Sequence, residues 1–260
     1  MVLREDGDGV IAIGQPAHAW VSGQLARAWG NARFGEVEPR EEVCLAAEQH
    51  DIGMAAWDAA PQLNPDTGRP QSFLEMPLHR HLELWSQAPL LARSQSRYAA
   101  LLVSLHGTTL YAMRDLERAP DVAAAIRDYV AAQGRFQEEL VTTLRDDPRY
   151  AEHAAPAAID RNRRLVVAWD GISLALCMAG FPWTLRDVPA ASDQCVEVTV
   201  TEVGETVALD PWPFASARLT LRCDGRRLDG RFDDEAEMRR ALDRAPWTTL
   251  EFELVAPASG

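Results

Sequence analysis

Apolar residues recur at helical spacing through most of the chain up to about Phe181. The segment "PAHAWVSGQLARAWG" starts at Pro16, and "REEVCLAAEQHDIGMAAWD" follows as a second helix with acidic residues in its first turn. A loop rich in turn residues, "AAPQLNPDTGRPQSF", comes next. Four further helices are predicted at 77–87, from Ser94 onward, from Pro120 to just before Pro148, and at 161–179 with Asp160 as the cap.

The period changes after Pro189. Apolar and polar residues alternate strictly in "CVEVTVTEV", "ARLTLRC" and "TLEFELVA", which predicts three strands, and "DDEAEMRRALDRA" predicts one short helix between the last two of them. The pattern therefore predicts a mainly α fold, a helical bundle over residues 1–188, followed by a small α+β domain over residues 189–260.

Composition narrows the class of protein. The 260 residues are 47% hydrophobic and 25% charged, which is typical of a globular chain. The net charge of −13 argues against binding of a nucleic-acid backbone or of an anionic membrane surface. No lysine is present, which excludes Schiff-base chemistry and a P-loop lysine. The four cysteines are far apart, so neither a zinc finger nor a disulfide framework is expected.

The first residues, "MVLREDGDGV", lack the basic and apolar regions of a signal peptide. The longest apolar run, Leu165–Phe181, contains Asp170, and a carboxylate in a bilayer costs about 2.5–3.5 kcal/mol or more. We therefore expect this run to be a buried helix with a functional carboxylate rather than a membrane span. A cytoplasmic protein without a membrane partner is expected.

Five polar residues lie on segments that should build the core: His18, His50, Asp51, His106 and Asp170. Any one histidine alone would be an ordinary hydrogen-bonded core residue. A buried aspartate is rarer, because an unpaired charge in the interior costs several kcal/mol. Histidine and aspartate on separate amphipathic helices can converge on one cation, so the set points to a metal site.

The order His, His-Asp, Asp resembles the HD superfamily of metal-dependent phosphohydrolases. The run "LAAEQHDIGM" is similar to the segment leading into that family's His-Asp-Ile-Gly-Lys, His18 matches its first histidine, and Asp170 in "VVAWDGISLAL" matches its last aspartate. The resemblance covers about residues 11–181 and implies an HD-like bundle. Met54 replaces the family's frequent lysine, which weakens the phosphohydrolase assignment. The whole chain also resembles an uncharacterised bacterial family of unknown function.

Binuclear branches of this superfamily have two more histidines between the doublet and the last aspartate. His106 fits one of them, because it shares a helix face with apolar residues, and His81 is preferred to His79 because Leu82 and Trp85 follow it. The resemblance thus implies one or two divalent ions (Mn, Mg, Fe or Zn), with Asp51 as a bridge. The predicted ligands are His18, His50, Asp51, His81, His106 and Asp170.

Two further residues are candidates for catalysis beside Asp51. Asp58 would share the face of Asp51 if the helix persists to Trp57, and it would then orient a ligand or act as a general base. A cap or a solvated loop carboxylate is the alternative for Asp58. Arg163 lies seven residues before Asp170 and could hold a phosphate, although a solvated helix start explains it as well.

Three functions follow from these features. The first is hydrolysis of a phosphate ester of a small molecule at one or two divalent ions. The second is a di-iron oxygenase of the same fold, for which the six ligands are equally suitable. The third is a non-catalytic metal-binding or scaffold protein. Fold analogy alone does not separate them, and the oligomeric state stays open.

Overall fold

The computed structural model describes residues 1–113, 120–191 and 194–257. In this part of the chain it has eight α-helices and nine strands. The helices are α1 Gln15–Ala28, α2 Arg40–Gln49, α3 Ala55–Asp58, α4 Leu78–Arg93, α5 Arg97–Ala112, α6 Pro120–Arg145, α7 Pro156–Met178 and α8 Glu235–Arg244. The strands are β1 Val2–Asp6, β2 Gly9–Ile13, β3 Leu63–Asn64, β4 Arg69–Pro70, β5 Trp183–Pro189, β6 Cys195–Val203, β7 Thr206–Asp210, β8 Arg218–Leu228 and β9 Trp247–Val255.

Seven of these strands form one mixed sheet in the order β1-β2-β8-β9-β7-β6-β5. Neighbours are antiparallel except β7 and β9, which run parallel. The N-terminal hairpin joins the C-terminal strands where Val10 pairs with Leu228 and Ala12 with Arg226. β3 and β4 form a separate two-stranded sheet within the predicted loop.

The predicted fold class, a mainly α helical bundle with a small C-terminal α+β domain, is therefore wrong, as is the description all-alpha. The pattern missed β2 because Gly9–Ile13 is buried at all five positions and so shows no alternation. It missed β5 because the pairing of β5 with β6 shifts register between Leu185 and Val188, which breaks the alternation.

Helices α1 and α7 lie against the sheet, and α2 and α5 pack on them, with α4 and α6 packed on α5. One hydrophobic core runs through these layers. It includes Trp169 of α7, Leu102 of α5, Ile13 of β2 and Val198 of β6. Because α1 and α7 lie between the sheet and the other helices, polar side chains on their inner faces are withdrawn from water.

Three predicted helices have a wrong boundary. The helix predicted over 77–87 is α4, which continues to Arg93. The helix predicted over 40–58 ends at Gln49, and a 3-10 turn at Ile52–Met54 precedes α3. The turn packs closely on α4: a Cβ added to Gly53 would lie 2.3 Å from the carbonyl oxygen of Leu84. Helix α7 starts at Pro156, with Ala155 as its N-cap, rather than after Asp160, because proline is well suited to the first turn.

The predicted boundary at residue 188 falls at the end of β5. Strand β2 pairs with β8 across that boundary. Limited proteolysis is the test of the division, which stays a prediction. Among the described residues, no helix combines the length and the hydropathy that a membrane crossing requires.

Candidate metal centre

Four helical segments bring five of the predicted residues together. His18 lies on α1, His50 and Asp51 follow the end of α2, His106 lies on α5, and Asp170 lies on α7. All five are buried, and none is more than 7% exposed. His50 and Asp51 directly follow the last residue of α2, and they contact His18 of α1 and Asp170 of α7. We call these five residues the His/Asp cluster.

The ligand atoms of the cluster lie within a few ångströms of one another. His18 Nε2 is 3.0 Å from Asp51 Oδ2, and His50 Nε2 is 3.3 Å from Asp170 Oδ1 and 3.7 Å from Asp51 Oδ2. His106 Nε2 is 3.6 Å from Asp170 Oδ2. Two overlapping groups, His18–His50–Asp51 and His50–His106–Asp170, each place one ligand atom per residue within 4.8 Å of the others.

The tautomer of His50 follows from its contact with α2. Its Nδ1 lies 2.8 Å from the carbonyl oxygen of Ala47, which can only accept, so Nδ1 carries the hydrogen. In a neutral ring Nε2 is then a lone pair. This buried atom has no hydrogen-bond partner and faces the carboxylates of Asp51 and Asp170. Acceptors that face each other in a buried space require either a proton or a cation between them.

A chain of serines orients His18 in the same way. Ser22 Oγ donates to Ser173 Oγ at 3.0 Å, and Ser173 Oγ donates to the carbonyl oxygen of Asp170 at 2.8 Å. His18 Nδ1 lies 2.9 Å from Ser173 Oγ. The other ring nitrogen, Nε2, lies 3.0 Å from Asp51 Oδ2, a carboxylate oxygen that only accepts, so Nε2 donates to it in the metal-free cluster.

The pKa values of the cluster residues show that the two carboxylates favour a positive charge between them. Burial lowers the pKa of His50, but the carboxylates of Asp51 and Asp170 outweigh burial and raise it to about 9. Burial raises the pKa of both aspartates, yet His50 holds each of them below the usual range. Burial and the nearby His50 lower the pKa of His106 to about 4, so His106 is neutral at pH 7.

These residues fit a divalent metal ion. Imidazole nitrogens and carboxylate oxygens are the ligands of zinc, iron and manganese sites, and second contacts to carbonyl or hydroxyl groups are typical of metal-binding histidines. Both metal-compatible groups contain His50, whose single lone pair binds one ion only. The described side chains therefore fit one ion in the cluster better than two.

The remaining predicted site residues, His81, Asp58 and Arg163, belong to neither ligand group. His81 belongs to neither group: its Nδ1 is 2.5 Å from the hydroxyl of Tyr111, and its ring lies against Trp85. Asp58 accepts from the amino group of Met1 at 2.8 Å and from the backbone of Gln15, and burial raises its pKa. The helix break at His50 removes the shared face on which its assignment depended.

Arg163 forms an ion pair with Asp160 and donates to Thr109. Seven residues along a helix span about 10 Å, so a shared face with Asp170 does not bring the guanidinium to the carboxylate. Sequence reasoning missed Ser22 and Ser173. Their positions four residues after His18 and three after Asp170, on the same helix faces, were the available signal.

A cavity of about 450 Å³ adjoins the cluster. Four of the cluster residues form part of its wall, namely His18, Asp51, His106 and Asp170. His81 and Tyr111 line the cavity as well, whereas Arg163 and Asp58 do not. A small molecule in the cavity would therefore reach the cluster directly.

Comparison with known proteins gives one result. No curated protein and no solved structure matches the chain. The family model described as "Protein of unknown function (DUF3891)" matches residues 1–230, from β1 through β8, so the chain belongs to this family.

Proposed function

We propose that the protein is a metal-dependent hydrolase that cleaves a phosphate ester of a small molecule at the His/Asp cluster. The observation that carries the proposal is His50 Nε2, a buried nitrogen without a hydrogen-bond partner that faces the carboxylates of Asp51 and Asp170. A cation is the simplest group that satisfies this nitrogen and the two carboxylates. His18, His50, Asp51 and Asp170 would hold one divalent ion. Such an ion lowers the pKa of a bound water and offsets charge on a phosphoryl oxygen.

The residues around the ion have separate tasks in this proposal. Ser173 and the carbonyl of Ala47 hold the rings of His18 and His50 so that both Nε2 atoms are directed at the carboxylates. Asp51, with Oδ1 buried and without a hydrogen-bond partner, has an acceptor left for a water proton. His106 lines the cavity in its neutral form and can accept a hydrogen bond there.

The resemblance to the HD superfamily supports this function. The order His18, His50-Asp51, Asp170 along the chain is that family's order of ligands. Met54 in place of lysine, and the pairing of Arg163 with Asp160, leave the metal as the group that would bind the phosphoryl oxygens. The net charge of −13 favours a small molecule over a nucleic acid as substrate.

Elemental analysis of protein purified without chelators tests the proposal. We expect about one divalent ion per chain, and release of 4-nitrophenol from 4-nitrophenyl phosphate that stops when the ion is removed. Asp170→Asn should abolish both, while the exposed His79 provides the matched control His79→Ala. Absence of metal from the wild-type protein, together with no effect of Asp170→Asn on any activity, would contradict the proposal.

A di-iron or mono-iron oxygenase is the second candidate. The observation that favours it is the cavity wall, which is mostly apolar and contains no arginine among the described residues. Such a wall suits an uncharged organic substrate. Iron as the purified metal, with oxygen consumption and no release of phosphate, would identify this function instead.

A further inference from the structure

Besides the residues of the His/Asp cluster, the polar residues that line the adjoining cavity are Gln15, His81 and Tyr111 among the described residues. Beyond the cluster, the described lining residues are mostly apolar, and none of them is an arginine. The chain has no lysine, so among the described residues no cationic side chain other than a protonated histidine lines the cavity. The apolar members of the wall are Phe73, Leu74, Met76, Leu78, Trp85, Leu110, Leu174, Met178 and Trp183.

Two helices continue from a cluster residue into this apolar wall. On α7, Leu174 and Met178 follow Asp170 at intervals of four residues, and on α5, Leu110 follows His106 at the same interval. Residues four apart lie on one helix face, about 6 Å apart along the axis. Leu110, Leu174 and Met178, here called the apolar track, therefore begin one turn from the cluster and lead away from it.

The apolar track runs toward solvent. Its three side chains are half-buried, whereas Leu74 and Trp183, which also line the cavity, are 68% and 39% exposed. Large exposed apolar side chains that border a cavity are typical of a binding site rather than of a solvated surface. A ligand that covered Leu74 and Trp183 would remove their apolar surface from water, which favours binding.

The apolar cavity wall also limits the number of charged groups that a ligand can carry. A second anionic group along the apolar track would lose its hydration and meet no arginine or lysine among the described lining residues, which opposes binding. Nucleoside diphosphates, nucleoside triphosphates and sugar bisphosphates carry such groups. Hydroxyl groups along the track would also lose hydrogen bonds to water.

We propose that the substrate is amphipathic, with one polar or anionic group at the His/Asp cluster and an apolar body, an alkyl chain or an aromatic ring, along Leu110, Leu174 and Met178. The position of the polar group rests on the proposed function, since it requires the cluster to bind a metal ion. The position of the apolar body rests on the cavity wall alone. The two parts can therefore be tested separately.

Calorimetric binding of alkylphosphonic acids to the full-length protein as purified tests the inference. Methyl-, butyl-, hexyl- and octylphosphonic acid have one head group and differ only in chain length. We expect the Kd to fall about fourfold for each added methylene until the cavity is filled. Adenosine monophosphate and ribose 5-phosphate should bind more weakly than hexylphosphonic acid. Affinity that is independent of chain length, or tighter binding of the sugar phosphates, would overturn the inference.

Leu174→Asn introduces a polar group in the apolar track. This substitution should raise the Kd of octylphosphonic acid at least tenfold. It should leave the Kd of methylphosphonic acid and the metal content unchanged. Leu91→Asn is the matched control, because Leu91 lies exposed on α4 outside the cavity, and it should bind as the wild type does. Equal losses of affinity for methyl- and octylphosphonic acid in Leu174→Asn would contradict the assigned track.

The 1-alkanols from butanol to octanol separate this inference from the proposed function. If phosphonates do not bind but alkanols bind more tightly as they lengthen, the apolar body is supported and phosphate-ester hydrolysis is not. If methylphosphonic acid binds in a metal-dependent way and no probe improves with length, the metal site stands and the inference fails. Binding of no probe from either series would also overturn the inference.

Discussion

Two histidines of the cluster, His18 and His50, have an orientation that a neighbouring group imposes. For His18 the orientation depends on Ser173, whose hydroxyl lies 2.9 Å from Nδ1 and donates to the carbonyl oxygen of Asp170. Without that contact the ring could rotate, and Nε2 would leave Asp51. Loss of a hydrogen-bond partner of a metal-binding histidine commonly lowers metal affinity by about 10- to 100-fold.

Ser173→Ala should therefore weaken metal binding by about 10- to 100-fold without preventing folding. Titration of the metal-free protein against a chelating indicator measures the affinity. Ser86→Ala is the matched control, because Ser86 is a helical serine on α4 that bonds a backbone carbonyl and is not part of the cluster. If both variants bind metal equally well, Ser173 does not orient His18.

The raised pKa of His50 predicts how the metal-free protein responds to pH. The pKa in the folded protein, about 9, lies above the value of about 6.5 in an unfolded chain. Protonated His50 therefore stabilises the fold fully below about pH 6.5, and this contribution is lost as the pH rises through about 9.

We expect the free energy of unfolding of the metal-free protein to fall by about 2–3 kcal/mol between pH 6.5 and 9.5. Urea denaturation across this range measures it, and His50→Gln should abolish most of the dependence, while His79→Gln should retain it. Metal binding must displace the proton, so metal affinity should rise with pH over the same range. A flat stability profile in the wild type would show that His50 is not protonated in the metal-free cluster.

At the scale of elements, the segment after α2 decides where the cluster forms. Asp51 has a non-helical backbone (φ −110°, ψ 18°), and the 3-10 turn that follows packs against α4. Glycine is required at position 53 because a Cβ would lie 2.3 Å from the carbonyl oxygen of Leu84 and 3.0 Å from the side chain of Ala88. The backbone oxygen cannot yield without displacing α4.

Gly53→Ala should destabilise the protein by about 1–3 kcal/mol, in the range of overpacked interior sites, and should lower metal affinity because it displaces His50 and Asp51. Gly134→Ala on α6 is the matched control. A Cβ there has no neighbour within 4 Å, so alanine should stabilise the helix by about 0.5–1 kcal/mol. Chemical denaturation measures the stability of both variants. Equal stability of the two variants would contradict the close packing at Gly53.

At the scale of the whole molecule, the helices and the sheet share one hydrophobic core. The β1–β2 hairpin pairs with β8, and the core includes Ile13 from the hairpin, Trp169 from α7 and Leu254 from β9. Because Asp170 lies on α7 and His18 on α1, the two helices in contact with the sheet also hold the cluster. Loosening of the sheet would therefore be expected to disturb the cluster.

The shared core predicts one unfolding transition for the whole chain. Tryptophan fluorescence and far-ultraviolet circular dichroism should give the same midpoint in urea. A saturating metal should raise the stability by about 2.7 kcal/mol at a hundred times its Kd. Limited proteolysis within residues 181–191 provides the complementary test. Cutting there, with survival of a folded helical fragment, would favour the division at residue 188 over one cooperative unit.

The sequence by itself determined the elements with a strict local periodicity and the residues that form the buried cluster. Strict alternation predicted β6 at its observed bounds, 195–203, and helical spacing predicted α1 and α8 to within two residues at each end, because these patterns are local. His18, His50, Asp51, His106 and Asp170 were identified because polar residues within apolar helices are costly to bury.

Tertiary structure alone decided the rest. The pairing of β2 with β8 joins segments from opposite ends of the chain, and no local pattern encodes a strand's distant partner. The turn that follows the break at His50 packs closely on α4, and His81 contacts Tyr111 and belongs to neither ligand group. Periodicity assigns a residue to the inner face of an element, but the partner it meets there depends on how the elements pack against one another.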